Sequence, residues 1–341
     1  MNGSKPISSL QKISDFYANK NSILKKSLTQ FVENTKFFPQ IGVELEFYLL
    51  NQSLQPLENK ALIAVYISAL EKLFAQDATI YKIEKEQGAS QIEIKIAPHS
   101  DLLLLAQKIE KIKESAKILA QENNLVACFD SQPFIDDCGS ALQFNFSLHD
   151  IAGNNLFIKD NFADNNFFIK NKETVSQKNN LLLNTIAGML DSIEWAMIFY
   201  APQPQDYLRF DLEINRNLHK KGKFTAPVNI SFGDDNRTAA VRVLPIKNWQ
   251  NSHDDFSATK PKEIYYRIEF RVAAANADAA LAIFSLLDSI ANALKNNKFL
   301  LAEQKIYGNA FDEQYSLKKI AANYDEALRD FFSESGSAQP C

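Results

Sequence analysis

Five glutamates in this chain fall in segments whose spacing can aim them at one place. Glu44 and Glu46 alternate with Val43, Leu45 and Phe47, Glu93 alternates with Ile92 and Ile94, and Glu269 sits within Arg-Ile-Glu-Phe-Arg. Residues two apart on a strand project to the same side, so Glu44 and Glu46 must be neighbours. Glu86 opens the segment Glu-Gln-Gly-Ala-Ser-Gln-Ile-Glu that ends in Glu93. Carboxylates brought within a few Å raise one another's pKa. Protonation or bound cations relieve that cost, and donors that are all oxygen favour Mg²⁺ or Mn²⁺ over zinc.

Arginine carries the second chemical signal. Of the 37 basic residues only seven are arginine, none of them in the first 208 residues, and six lie between 209 and 271. Lysine serves as the cation elsewhere, so this clustering points to planar, two-pronged recognition of carboxylate or phosphate, which lysine supplies poorly.

Strands must position these groups. Strict alternation over 43–47, 91–96, 142–149 and 264–272 gives each segment one apolar face and one polar face. The polar faces carry Glu44 and Glu46, then Gln91, Glu93 and Lys95, then Gln143 and Asn145, then Arg267, Glu269 and Arg271. Helical spacing predicts an N-terminal arm over 7–36, ended by Pro39, and helices near 59–76, 101–122, 179–200, 277–296 and 312–332. Ser100 is the expected N-cap of the second of these. The fold class is α+β, a curved antiparallel sheet with a polar concave face backed by helices. The expected organisation is an arm over 1–38, a main domain over 39–310, a C-terminal helix over 311–333 and a flexible tail over 334–341.

Composition narrows the function classes. With 46% hydrophobic residues, 23% charged and a net charge of −4, the 341-residue chain reads as globular and offers no basic surplus for nucleic acid. No apolar run approaches a membrane span, and the polar start, Met-Asn-Gly-Ser-Lys-Pro, has no signal-peptide core. Cys128, Cys138 and Cys341 form neither a paired framework nor metal-ligand spacing, so a cytoplasmic location is expected.

The ordered series GVELEF, EQGASQIEI, GSALQFNFSL, APVNISFGDDNRTAAVRV and RIEFRVAAANADAALA resembles the catalytic domain of glutamine synthetase over roughly residues 40–300. The Glu-x₆-Glu spacing and RIEFRV resemble the γ-glutamylpolyamine synthetase branch most. The resemblance implies that Glu46, Glu86 and Glu93 hold one Mg²⁺ or Mn²⁺, and that Glu44 and Glu269 hold a second. It places Gln143 and Asn145 where the family has histidines, so Gln143 offers the second metal only an amide oxygen and weakens it. Arg209 and Arg271, with Asn145, would take the amino-acid substrate. Arg237, Arg242 and Arg267 would serve ATP, and Arg267, Arg271 and Arg237 would carry the catalytic roles. The family's flap glutamate is Thr225 here, and none of His99, His149, His219 and His253 falls on a ligand position. About 40 helical residues precede Glu44 where the family carries a β-grasp domain that lends an Asp to the neighbouring subunit's active site.

Together these imply an ATP-dependent ligase joining a glutamate-like acid to an amine. The alternative is a catalytically impaired relative that binds nucleotide or glutamate as a sensor or partner. A glutamate–cysteine ligase-like activity fits the motifs less well. The expected partners are small molecules, with no nucleic acid and no membrane. Family members build double rings with the domain that the arm replaces, so a monomer or small oligomer is expected rather than a dodecamer.

Overall fold

A computed structural model describes residues 9–158, 181–246, 264–298, 300 and 304–334. His253, Cys341 and the tail from 335 lie outside the described residues. In chain order the elements are α1 (Ser9–Thr35), β1 (Phe38–Leu50), α2 (Lys60–Leu73), β2 (Ile80–Lys85), β3 (Gln91–His99), α3 (Leu102–Glu122), β4 (Val126–Cys128) and β5 (Leu142–His149). There follow α4 (Leu181–Trp195), α5 (Met197–Tyr200), a 3-10 segment (Pro204–Phe210), α6 (Leu212–Lys220), β6 (Phe232–Asp234), β7 (Val241–Pro245), β8 (Tyr266–Phe270), α7 (Ala279–Lys295) and α8 (Tyr324–Glu334). The fold is α+β.

The strands form one sheet in the order β2-β3-β1-β5-β8-β7-β6, with β4 on β1. Every pairing is antiparallel except β6 with β7. Its apolar face, with Val43, Leu45 and Phe47 on β1 and Phe144 and Phe146 on β5, is buried in the main core. Alternation explains this: a strand whose odd residues are apolar can bury them only by turning its even residues to the opposite face. The helices supply the other side of the core.

Helix α1 is part of that core. Leu24 and Phe31 are buried, and Phe16 meets Phe199 at 5.2 Å and Phe331 at 5.9 Å between ring centroids. Lys20 pairs with Asp278, the N-cap of α7, whose carboxylate also accepts from Ala280 and Leu281 N–H. After α1 the left-handed Lys36 (φ 64°) turns the chain into β1, so Pro39 sits inside a strand.

Three local expectations change. Asp101, not Ser100, caps α3, accepting from Leu104 N–H at 2.9 Å. The 179–200 helix breaks at Ala196. The last helix begins only at Tyr324, because Lys318 and Ile320 exchange backbone hydrogen bonds with Ile230 and Val228 (2.8 and 3.1 Å), which holds that stretch extended. Among the described residues no helix is long and apolar enough to cross a membrane.

Helix α4 approaches α7 closely at Gly188, where an added Cβ would lie 2.5 Å from Ile290 Cα and 2.8 Å from the Ser289 carbonyl oxygen. Helix propensity alone favours Ala over Gly by about 1 kcal/mol. Backbone overlap should win, so Gly188→Ala is expected to destabilise by about 1–3 kcal/mol. Urea unfolding gives the sign, and a stabilised variant would contradict the close approach.

Candidate active site

The antiparallel register sets the polar face. Glu44 stands opposite Gln143 on one side and Lys95 on the other, and Glu46 stands opposite Glu93. Asn145 stands opposite Glu269, which in turn stands opposite Arg242. Directly paired residues share a face, so five strands, β1, β3, β5, β7 and β8, converge their polar and charged groups.

They open on a cavity of about 250 Å³. Glu44, Glu46, Glu86, Glu93 and Glu269 all line it, as do Gln143 and the arginines at 209, 237, 242, 267 and 271. Asn145 does not line it but braces it from beneath, donating to Glu44 at 3.0 Å and accepting from Arg267 Nε at 2.8 Å. The described histidines are elsewhere: His99 accepts from Asp101 N–H, His149 bonds Ser147, and His219 packs edge-on to Phe311.

The arginines are held differently. Arg209 is buried and donates to the Val272 and Arg271 carbonyl oxygens, both at 2.8 Å. Burial lowers its pKa to about 10, with Glu46 opposing. Arg271 donates to Glu269, to Gln143 Oε1 (3.3 Å) and to the Thr225 carbonyl oxygen (3.2 Å). Arg242 reaches Glu269 at 2.9 Å and pairs with Asp235. Arg237 is exposed, its guanidinium 4.3 Å from the Phe224 ring centroid. The Nε atoms of Arg209, Arg242 and Arg271 are buried without a partner, and buried donors of this kind call for a ligand or water.

The carboxylates divide into two groups. Glu269 is 3% exposed, and although burial pushes its pKa up, Arg271 and Arg242 hold it below the ordinary value. Glu46 accepts from Ala141 N–H (2.9 Å) and Gln143 Nε2 (2.7 Å). Burial nonetheless raises it to about 7, with Glu86 adding to the rise and Arg209 opposing. Burial also raises Glu86. Burial together with Glu44 and Glu46 raises Glu93, against Lys95 at 2.9 Å.

Among the described residues no three His, Cys, Asp or Glu side chains already converge on one point as a cation cage. The donor chemistry of Glu46, Glu86 and Glu93 fits a hard divalent cation, because Glu46 and Glu93 are buried, Glu86 is half-buried, and no guanidinium hydrogen-bonds any of them among the described residues. Glu269 does not fit, since both of its oxygens are held by guanidinium groups.

Sequence reasoning passed over several groups. Lys95 shared the parity of Glu93 and was legible there as a lining residue. For the strap over 222–226 only Thr225 was placed, by resemblance to the family's flap, and its anchors were not. Lys223 pairs with Asp137 (2.6 Å), Asp137 accepts from Ala89 N–H (2.8 Å), and Gln87 accepts from Phe224 N–H and donates to the Gly222 carbonyl oxygen (3.2 Å). Gly88 keeps the Glu86 loop against Tyr48, since a Cβ there would lie 2.2 Å from Tyr48 Oη.

Fold and cleft together define an α+β protein whose sheet presents interleaved carboxylates and arginines. Residues 59–338 match the model of the glutamine synthetase catalytic domain, and the chain belongs to that family. Among curated relatives it is 22% identical over 315 residues to the gamma-glutamylputrescine synthetase PuuA of Escherichia coli (strain K12), an alignment covering 84% of this chain and 57% of the relative. It is 25% identical over 340 residues to the glutamate–isopropylamine ligase of a Pseudomonas species, covering 93% of this chain and 65% of the relative. The chain thus spans between half and two thirds of the length of these relatives. Among solved structures, an ADP complex of GmaS aligns with TM-score 0.69 at 16% identity, covering 92% of this chain and 68% of the other. A novel glutamine synthase homolog aligns with TM-score 0.66 at 19% identity, covering 93% and 66%. At these identities the structures show a shared fold.

The raised pKa of Glu46 makes stability depend on pH. Between its ordinary 4.5 and about 7 the folded state binds a proton that the unfolded state has released, so stability falls as pH rises through this window. At about 1.4 kcal/mol per pKa unit the loss is on the order of 3 kcal/mol. Thermal melts in chelator should show Tm falling from about pH 4.5 to about pH 7, with Glu46→Gln flattening the slope. A Tm that climbs across the window in the parent and is unchanged by Glu46→Gln would refute it.

Proposed function

We propose that this chain is an ATP-dependent carboxylate–amine ligase using Mg²⁺ or Mn²⁺, phosphorylating the side-chain carboxylate of glutamate or a similar acid for attack by an amine. The observation that carries this reading is the convergence of five arginines on a cavity that also holds five carboxylates. Two relatives whose names pair glutamate with an amine support it.

In this reading Arg237 at the rim, with Arg242 and Arg267, grips the nucleotide phosphates, where forked donors match phosphoryl oxygens. Arg271 and Arg209 face the acid's carboxylate, and Asn145 fixes both Arg267 and Glu44 in place. A carboxylate oxygen of the acid attacks the terminal phosphorus and ADP leaves. The amine then displaces inorganic phosphate from the acyl phosphate and gives up a proton. Preorganised guanidinium groups stabilise the charge that builds on the phosphoryl oxygens. A divalent cation, when bound at Glu46, Glu86 and Glu93, adds to that neutralisation.

The strap over 222–226 bears on the choice of amine. Thr225 brings no carboxylate to hold ammonium, whereas a larger amine brings binding energy of its own. One observation favours the second reading, a binder of nucleotide or glutamate without turnover: Gln143 spends its amide on Glu46 and Arg271, in a family position where a histidine ligand is expected.

Mg-ATP with glutamate and a panel of amines, followed by phosphate release, separates the two readings. Turnover is expected with alkylamines and polyamines and to be weak with ammonia. Arg267→Lys keeps the charge but loses the fork, and should cost about a hundredfold in rate with Tm held. Ammonia-driven glutamine formation as fast as any alkylamine reaction would refute this account of the strap. No ATP binding under any condition would refute the ligase.

A further inference from the structure

The cavity lining carries five carboxylates and six protein cations, Lys95 and five arginines. Protein cations therefore already balance the acidic face in number, but unevenly in space. Around Glu269 the arginines occupy both carboxylate oxygens. The neighbouring amide of Gln143 donates to Glu46 and accepts from Arg271. Glu44 accepts from Asn145 and stands opposite Lys95. Each oxygen of Glu269, and Oε1 of Gln143, already accepts from a guanidinium N–H.

Around Glu46, Glu86 and Glu93 the position is reversed. No guanidinium hydrogen-bonds any of the three among the described residues, and the cation that touches them is Lys95, on Oε2 of Glu93. Lys95 has a second carboxylate in reach, Glu84 at 3.0 Å, and is 23% exposed. It can leave Glu93 without being stranded, whereas Arg271, with its side chain 5% exposed, has no solvent to retreat to.

We infer that this cleft takes a single divalent cation, at Glu46, Glu86 and Glu93, and that Arg242 and Arg271 fill the place of a second at Glu269. The inference rests on the ligase reading only for the arrival of a divalent cation in the cleft. Its consequence is specific: charge that two metals would bring to the phosphoryl group is here built partly into the polypeptide.

Mn²⁺ titration of the metal-free full chain without nucleotide, read by the electron-paramagnetic signal of free Mn²⁺, tests it. One Mn²⁺ per chain is expected. Glu93→Gln should weaken binding at least about tenfold. Glu44→Gln and Glu269→Gln should each leave one Mn²⁺ bound, with Kd within about threefold. Glu44→Gln decides the matter if Glu269→Gln, which strands two buried arginines, fails to fold. Two Mn²⁺ per chain, none, or loss of the bound ion in Glu44→Gln would overturn the inference. Phosphate release on the same preparation keeps the two questions apart. One Mn²⁺ without turnover leaves this inference standing and removes the ligase, while two Mn²⁺ with turnover does the reverse.

Discussion

Glu269 is a buried anion held between two guanidinium groups, and much of the cleft follows from keeping it paired. Removing one partner from a buried ion pair costs about 3–5 kcal/mol, because the other charge stays desolvated. Arg242 must therefore remain on β7 and Arg271 just past β8, which ties those strands to one register. From Arg271 the network runs to Gln143 on β5, then to Glu46 on β1, and so reaches the carboxylates opposite β3. A chain of polar contacts thus crosses the centre of the sheet where a solvated face would carry independent side chains. The same network leaves the Nε atoms of Arg209, Arg242 and Arg271 buried and unpartnered among the described residues.

Such a face can exist only because the opposite one is fully paid in apolar contacts. Phe47, Phe144, Phe146 and Phe270 are buried, each one position in sequence from a polar or charged residue of the opposite face. Helix α1 belongs to this support: its Phe16 joins Phe199, Phe284 and Phe331 in an aromatic cluster drawn from four separate helices. The polar face of the sheet and the N-terminal helix are therefore coupled through one core.

Much of this was legible in the sequence, for a physical reason. Period-two alternation assigns each residue of a strand to a face before any partner strand is known, so Glu44, Glu46, Glu93, Arg267, Glu269 and Arg271 could all be placed on polar faces. The scarcity of arginine made those that remain conspicuous. What alternation does not carry is register between distant strands. That Lys95 would touch Glu93 and Glu84, or that Arg242 would take an oxygen of Glu269, depends on pairings set by the whole core. The anchoring of the strap failed to show for the same reason, since Asp137 and Lys223 lie 86 residues apart. The late start of α8 was hidden because backbone bonds from Val228 and Ile230 override a helical pattern that residues 312–323 carry locally.

The central claim is that the arginine-lined cavity drives phosphoryl transfer onto a carboxylate. It is tested most directly by following that carboxylate's oxygen. With glutamate carrying oxygen-18 in its side-chain carboxylate, Mg-ATP and an accepted alkylamine, one labelled oxygen should appear in each inorganic phosphate released, because the oxygen that attacks phosphorus leaves with it. Phosphate released without the label would show that water, and not the acid, had attacked ATP, and would contradict the account.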